Sequence, residues 1–347
     1  MGQRLDFIDA ARGLAILLVV LGHGIQYTDP AFDANLAFRM IYAVHMPLFM
    51  FLSGYVTSQP QGMVSCRDQR FWHKLRDLLV PYVVWLPMGY LAAVWLQQPP
   101  GFSGSFAAFI GQVPRSPDLG LWFLLVLAEC HLLLLLASMF GARPASWIAL
   151  CLLLLINVLV LWAPDNNWLG LGLLRWHFFF FMAGHLLRRH QGFPPALRPA
   201  VMALIAFGLL ATFWYRKSAV PVDWLLGEPP GTVRQLATQG YHAVTALAGI
   251  AAILGLVAAA GRATWFAWPQ RWLVYLGTRS LHIYAGHYPF LYLAIGLTAG
   301  MATLTTSRVL VVGGFALTAA LLLALVIAQW PGICRLVYGR LSLTINH

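Results

Sequence analysis

Three ionisable residues fall within the first apolar stretch of the chain, which runs from Phe7 to Tyr27. Asp9 and Arg12 lie near one end of this stretch and His23 lies near the other. An α-helix needs about 20 apolar residues to cross a bilayer, and ionisable groups inside such a span are costly. At about 100° per residue, Arg12 and His23 share one helix face and lie roughly 16 Å apart along the axis. Such a face could bind an anionic group at one end and transfer a proton at the other.

A structural interpretation of the same residues stays open. An Arg at the end of a membrane helix can extend to the lipid headgroups, and a His at the other end can lie in the interface. Asp9 could orient Arg12, or it could stabilise the start of the helix, where a carboxylate is favourable. The spacing is compatible with both interpretations.

The composition of the chain indicates an integral membrane protein. Of the 347 residues, 60% are hydrophobic and 10% are charged, and several apolar runs are long enough to span a bilayer. The net charge is +11, but the basic residues are scattered between apolar runs, so we expect no nucleic-acid partner. The N-terminal segment lacks the pattern of a cleaved leader, so the first apolar run should stay in the mature protein. We expect one membrane-embedded domain over residues 1–347.

Ten apolar runs bounded by charged residues, Pro and Gly predict ten transmembrane helices and an all-α fold. They lie near 8–28, 37–57, 78–97, 119–140, 146–163, 168–187, 200–217, 237–260, 273–296 and 306–329. Thirteen Lys and Arg residues fall between the spans on one side and six on the other. The positive-inside rule therefore predicts that both termini are cytoplasmic. The compact layout is typical of a bacterial inner membrane protein.

The second and ninth predicted spans place more histidines in the half of the membrane that holds His23. The segment HMPLFMFLSG contains His45 and Ser53, and the segment SLHIYAGHYP contains Tyr284 and His287. These imidazoles could line one pocket. Alternatively, Pro47 kinks its helix and His45 bonds a carbonyl that the kink frees.

Basic residues are concentrated in the predicted cytoplasmic loop 58–77. Arg67, Arg70, Lys74 and Arg76 could bind the phosphates of an anionic substrate, or they could set the topology and contact anionic lipids. A different charge, Glu129 in the segment LWFLLVLAEC, should lie near the bilayer centre, where it would be neutral or paired with a histidine or with a cation such as Arg175. Since no Cys and His cluster is present, we predict no metal site.

The segment DFIDAARGLAILLVVLGH resembles the opening helix of acyltransferase family 3, whose signature is an Arg and a His separated by ten residues. The HMPLFMFLSG, HKLRDLLVPYVVW, LWFLLVLAEC and SLHIYAGHYP segments resemble later family motifs in the same order. The resemblance covers nearly the whole chain. It implies a ten-helix membrane enzyme that moves an acyl group, most often acetyl, from cytoplasmic acyl-coenzyme A to a hydroxyl of a carbohydrate.

The resemblance also assigns roles to residues. His23 would be the general base on the acceptor hydroxyl, Arg12 would bind the donor, and Asp9 would orient Arg12. The coenzyme A phosphates would contact Arg12 and the basic loop, where the family's Arg-x-x-Arg pair corresponds either to Arg67 and Arg70 or to the positions near Lys74 and Arg76. Supporting roles are predicted for the following residues: His45, Ser53, Glu129, Tyr284 and His287.

This mechanism predicts a continuous tunnel from the loop at 67–76 to His23, with acyl-coenzyme A approaching from the cytoplasm. The acceptor could be a glycan, a lipid-linked sugar or a small sugar, and transfer could be direct or could pass through a covalent intermediate. A different class of protein, a transporter or flippase for an anionic or glycan substrate, would use the same intramembrane Arg and His for binding and proton relay. A purely structural membrane scaffold is the third alternative.

Overall fold

A computed structural model of the chain describes residues 6–58, 69–96, 105–115, 121–140, 145–162, 168–190, 197–226, 231–298, 300 and 305–339. The described residues are 89% helical and form 14 α-helices. The helices are α1 Asp6–Thr28, α2 Leu36–Thr57, α3 Gln69–Leu96, α4 Phe106–Gln112, α5 Trp122–Ser138, α6 Ala145–Trp162, α7 Leu171–His190, α8 Leu197–Ala211, α9 Val220–Leu226, α10 Gly231–Ala260, α11 Ala267–Thr278, α12 Ser280–Leu297, α13 Thr305–Ala328 and α14 Pro331–Tyr338. The helical fold class is therefore confirmed.

Three short 3₁₀ helices and one small hairpin complete the described structure. The 3₁₀ helices are Phe32–Ala34, Trp168–Gly170 and Thr264–Phe266, and the strands are β1 Trp214–Tyr215 and β2 Ser218–Ala219. The two strands pair antiparallel. The hairpin corrects the predicted seventh span, 200–217, because α8 ends at Ala211 and the chain turns back into β1.

Four helices in the described part of the chain are long and apolar enough to cross a membrane. They are Asp6–Thr28, Leu36–Thr57, Gly231–Ala260 and Thr306–Ala328. Shorter apolar helices occupy Trp122–Ser138, Trp147–Val158 and Leu197–Ala211. Large apolar side chains on the outer helices are exposed, for example Leu154, Leu209 and Leu310, which is typical of a lipid-facing surface. The number of ten spans and the cytoplasmic position of the termini stay predictions.

The ninth predicted span, 273–296, consists of two helices instead of one. The chain breaks between α11 and α12 at Arg279, whose backbone angles are φ −110° and ψ 5°. The guanidinium of Arg279 stacks over the Tyr275 ring, with its Cζ 3.8 Å from the ring centroid. It also donates to the Tyr275 carbonyl oxygen at 3.2 Å. The break leaves α11 beside the first half of α1 and brings α12 beside the second half, as their close contacts show.

Glycines allow α1 and α11 to pack with their backbones in contact. A Cβ added to Gly13 would lie 1.9 Å from the Leu273 carbonyl oxygen, and one added to Gly277 would lie 1.8 Å from the Asp9 carbonyl oxygen. Small residues permit this close approach between membrane helices. The contact fixes the position of the helical turn that carries Asp9 and Arg12.

Candidate active site

Both ends of α1 carry part of the candidate site. Arg12 lies one helical turn after Asp9, and its side chain is 11% exposed. His23 lies near the other end and is half-buried. Both side chains contact groups on neighbouring helices or within the bundle, so the predicted polar face of α1 turns towards protein.

A cavity of about 80 Å³ lies beside Arg12. Residues of five helices, α1, α2, α3, α5 and α12, line it: Arg12, Phe49, Ser53, Lys74, Leu78, Phe123, Leu127, Ser280, Leu281 and Tyr284. The structure thus brings together four residues that the sequence analysis singled out, one on each of four helices. The sequence analysis missed the aromatic wall formed by Phe49 and Phe123.

The cavity has an excess of positive charge. Arg12 Nη1 lies 3.7 Å from Asp9 Oδ1, and Asp9 is buried. Lys74 Nζ donates to Thr57 Oγ1 at 2.7 Å, which holds the ammonium at the end of α2. Among the described residues that line the cavity, two are therefore cations, Arg12 and Lys74, and none is a carboxylate. In a low-dielectric region this arrangement favours an anionic ligand.

The structure places some of the other basic residues that are predicted to bind the donor phosphates and does not describe the rest. Arg67 and the side chain of Arg70 lie outside the described residues. Arg76 pairs with the adjacent Asp77 at 3.2 Å, and its side chain is 35% exposed. It is not among the residues that line the cavity. Lys74 is therefore the predicted loop cation that the described structure places beside Arg12.

His23 lies in a cluster of hydroxyl-bearing and imidazole side chains. Its Nδ1 lies 3.2 Å from Gln26 Oε1 and 3.2 Å from the Tyr42 hydroxyl oxygen. Its Nε2 lies 3.1 Å from the Tyr288 hydroxyl oxygen. The His287 ring stacks against His23 with 5.5 Å between the ring centroids. Three helices, α1, α2 and α12, therefore build the surroundings of this imidazole.

The sequence analysis missed Gln26, Tyr42 and Tyr288. Gln26 lies three residues after His23, so helical periodicity places it on the same face. Tyr288 directly follows His287 in a segment that was already singled out. Tyr42 carried no comparable signal, because its distance from His23 depends on how α2 packs against α1.

The predicted supporting histidines lie in the same region and make different contacts. His45 Nδ1 lies 2.8 Å from the Ile41 carbonyl oxygen, whereas Pro47 frees the carbonyl four residues before it, that of Ala43. The alternative that His45 bonds a backbone carbonyl is therefore confirmed, but this carbonyl is not the one that Pro47 frees. The Tyr42 ring centroid lies 4.7 Å from that of His45 and 6.2 Å from that of His23.

His287 is fully buried, and its Nδ1 lies 2.7 Å from the Tyr284 carbonyl oxygen. Tyr284 connects the cavity with the histidine cluster. Its ring is 5.2 Å from the Phe123 ring and 5.7 Å from the His287 ring. Since Tyr284 also lines the cavity, it lies between the Arg12 end and the His23 end of the site.

Glu129 is not among the described residues that line the Arg12 cavity or that hydrogen-bond to His23. Its Oε2 is buried and has no hydrogen-bond partner among the described residues. Neither Arg175 nor a histidine forms an ion pair with it in that part of the chain, so of the two predicted alternatives the neutral carboxyl is the one that stays. A search of the described residues finds no group of three or more His, Cys, Asp or Glu side chains that could hold a metal ion.

Helices that are long and apolar enough to cross a membrane indicate the class of integral membrane proteins. The particular family follows from comparison with known proteins. The family model described as an acyltransferase domain matches residues 5–328. The chain belongs to this family, acyltransferase family 3.

Two curated relatives share a shorter stretch with the chain. Nodulation protein NolL of Mesorhizobium japonicum is 39% identical over 84 residues, which is 22% of this chain and 21% of the relative. Nodulation protein NolL of Sinorhizobium fredii is 40% identical over 83 residues, which is 22% of each chain. The matched stretch therefore spans about a fifth of each relative. No solved structure matches the chain.

Proposed function

We propose that this acyltransferase moves an acyl group, acetyl in the first instance, from cytoplasmic acyl-coenzyme A to a hydroxyl of an extracytoplasmic or lipid-linked carbohydrate. The observation that carries the proposal is that the two ends of α1 have different surroundings. Arg12 lies at a cation-lined cavity, and His23 lies in a cluster of hydroxyl groups. The first end suits an anionic donor and the second suits proton transfer to and from an alcohol.

The donor would bind at the Arg12 end. Arg12 and Lys74 would attract the negative charge of the coenzyme A, with Arg67, Arg70 and Arg76 at its approach from the cytoplasm. Asp9 would orient Arg12 through the contact at 3.7 Å. Ser53 lines the same cavity and could donate to the donor's carbonyl or amide oxygens.

The transfer would occur at the His23 end. The imidazole would take the proton from the acceptor hydroxyl, and the oxygen would attack the thioester carbonyl carbon. The carbon–sulfur bond would break, and the leaving sulfur would take the proton from the imidazolium, so that free thiol and an acyl ester result. The thioester must therefore pass from the Arg12 cavity to His23, and Tyr284 lies on that path. His45 and His287 would shape the pocket, and Glu129 would support the fold.

The remaining features of the proposal concern topology. A single domain over 1–347, ten spans and cytoplasmic termini would place the basic loop on the side where acyl-coenzyme A is made. The thirteen-to-six distribution of basic residues supports this orientation. We place the protein in a bacterial inner membrane, with lipids, acyl donor and carbohydrate acceptor as its partners and no resident metal.

A transporter or flippase is the second candidate, and the helix break at Arg279 favours it, since discontinuous helices are frequent at transport sites. One experiment separates the two. Purified protein in detergent is given acetyl-coenzyme A labelled in the acetyl group and a mixture of cell-envelope glycans. An acyltransferase transfers label to glycan without a sealed compartment. Label movement that requires sealed vesicles and leaves the thioester intact would refute the proposal.

A further inference from the structure

The two nitrogens of the His23 ring have different hydrogen-bond partners. Nδ1 faces Gln26 Oε1 and the Tyr42 hydroxyl oxygen, each at 3.2 Å. Tyr42 donates its hydroxyl proton to Gln26 Oε1, so its oxygen can only accept from the ring. The amide oxygen of Gln26 is also an acceptor. Because both neighbours accept, Nδ1 must carry the ring hydrogen.

The assignment of Nδ1 determines the state of the other nitrogen. A neutral imidazole has one donor and one acceptor nitrogen, so Nε2 holds the lone pair. The Tyr288 hydroxyl lies 3.1 Å from Nε2 and donates to it. A hydroxyl that gives its proton to a general base must lie within about 2.6–3.2 Å of that base. Tyr288 therefore occupies the place that an acceptor hydroxyl needs.

We propose that Gln26 and Tyr42 are positioning residues that hold His23 with its hydrogen on Nδ1, so that Nε2 is the base, and that the acceptor hydroxyl replaces the Tyr288 hydroxyl at Nε2. The inference rests on the proposed function, because a base is required where an alcohol is acylated. The proton of the acceptor hydroxyl moves to Nε2 as the oxygen attacks the thioester. The same proton then moves to the sulfur when the carbon–sulfur bond breaks.

The position of these residues in the fold supports the assignment. Gln26 is on the same helix as His23, one turn further on, so it moves with the imidazole. Tyr42 is on α2, and its ring is held by stacking on Phe38, with 3.9 Å between the ring centroids. Phe38 is fully buried. Tyr42 is thus held in place by its packing. A residue that selects one tautomer of a neighbouring imidazole must keep such a fixed position.

Gln26 variants test the donor and acceptor assignment. Gln26→Leu removes the hydrogen-bond acceptor of Nδ1, so kcat should fall about 10²-fold or more because the base is misplaced or wrongly protonated. KM for acetyl-coenzyme A should stay within about twofold of the wild-type value. Gln26→Glu offers only acceptor oxygens, so it should restore kcat to within about threefold of wild type. Gln235→Leu and Gln235→Glu, at an exposed position of α10, are the matched controls. Loss of kcat in Gln26→Glu equal to that in Gln26→Leu would overturn the assignment, because it would mean that Gln26 donates.

A Tyr288 variant tests the exchange of hydroxyl groups. Tyr288→Phe removes the hydroxyl that the acceptor has to displace from Nε2, so KM for the acceptor should fall while thiol release still requires His23. Tyr90→Phe, on α3, controls for loss of a tyrosine hydroxyl elsewhere. A loss in Tyr288→Phe as complete as that in His23→Ala would show that Tyr288 takes part in the chemistry itself, and it would contradict the exchange.

A spectroscopic measurement separates this inference from the proposed function. Protein labelled with ¹⁵N at histidine is compared with the His23→Gln variant, which identifies the His23 signals. We expect the Nδ1–H tautomer in wild type and a mixture of tautomers in Gln26→Leu. An Nε2–H tautomer in wild type would overturn the inference even in an active enzyme. The expected tautomer in a protein that transfers no acyl group would instead refute the proposed function.

Discussion

The close backbone contact between α1 and α11 gives the sharpest test of how the fold positions the Arg12 end of the site. In Gly277→Ala the new Cβ would lie 1.8 Å from the Asp9 carbonyl oxygen, whereas ordinary contact begins at 3.4 Å. The helices must therefore separate by about 1.6 Å, the difference between these two distances. Overpacking of this kind costs about 1–3 kcal/mol of stability. A displacement of about 1 Å in a catalytic group lowers the rate about 10²-fold.

The assay for this variant measures two quantities, the melting temperature in detergent and the rate of thiol release from acetyl-coenzyme A. We expect Gly277→Ala to lower the melting temperature and to lower kcat/KM for acetyl-coenzyme A about 10²-fold. Gly240→Ala is the matched control, since a Cβ there meets nothing within 4 Å and Ala is a better helix former than Gly. If Gly277→Ala behaved like Gly240→Ala in both measurements, the packing of α1 on α11 and its role in positioning Arg12 would be refuted.

Three further predictions concern the inner cavity and its charges. Lys74→Met should raise KM for acetyl-coenzyme A about tenfold with little change in kcat, since a charge-assisted contact is worth about 1.5–3 kcal/mol. Steady-state kinetics would measure this rise, with Lys217→Met as an exposed control. An unchanged KM would exclude Lys74 from donor binding. Asp9→Ala should cost about 3 kcal/mol of stability, because the ion pair with Arg12 is buried. In contrast, Asp33→Ala should cost less than about 1 kcal/mol because its pair is exposed, and chemical unfolding that gave equal losses would contradict this. Phe123→Ala removes the aromatic wall of the cavity, so the ratio of butyryl- to acetyl-coenzyme A turnover should rise about tenfold, and an unchanged ratio would show that this wall does not limit acyl length.

The sequence predicted the helical elements and the polar face of α1 well, for a physical reason. Charged residues are rare inside apolar spans, so Arg12 and His23 stand out, and helical geometry places them on one face. Lys74, Ser53 and Tyr284 were also singled out, and the structure places all three at the cavity of Arg12. Their roles in catalysis stay predictions.

The sequence did not predict features that depend on packing between helices. Two partners of His23, Tyr42 and Tyr288, come from α2 and α12, and the sequence does not show which residues of other helices packing brings to His23. The end of α8 at Ala211 was missed because the aromatic residues from Phe213 to Tyr215 prolong the apolar run, and the break at Arg279 was missed because apolar residues flank it on both sides. For Glu129 the sequence left a neutral carboxyl and an ion pair open, and the described helices show no ion pair to it.

The central claim is that α1 binds an acyl donor at one end and activates the acceptor at the other. The most direct test measures thiol release from acetyl-coenzyme A by the purified protein in the presence of a glycan acceptor. Wild type is compared with Arg12→Ala, His23→Ala and Arg115→Ala, the last an exposed control on the segment after α4. We predict that Arg12→Ala chiefly weakens donor binding, that His23→Ala abolishes acceptor-dependent release while donor binding persists, and that Arg115→Ala resembles wild type. Release by both α1 variants at the wild-type rate would contradict the account.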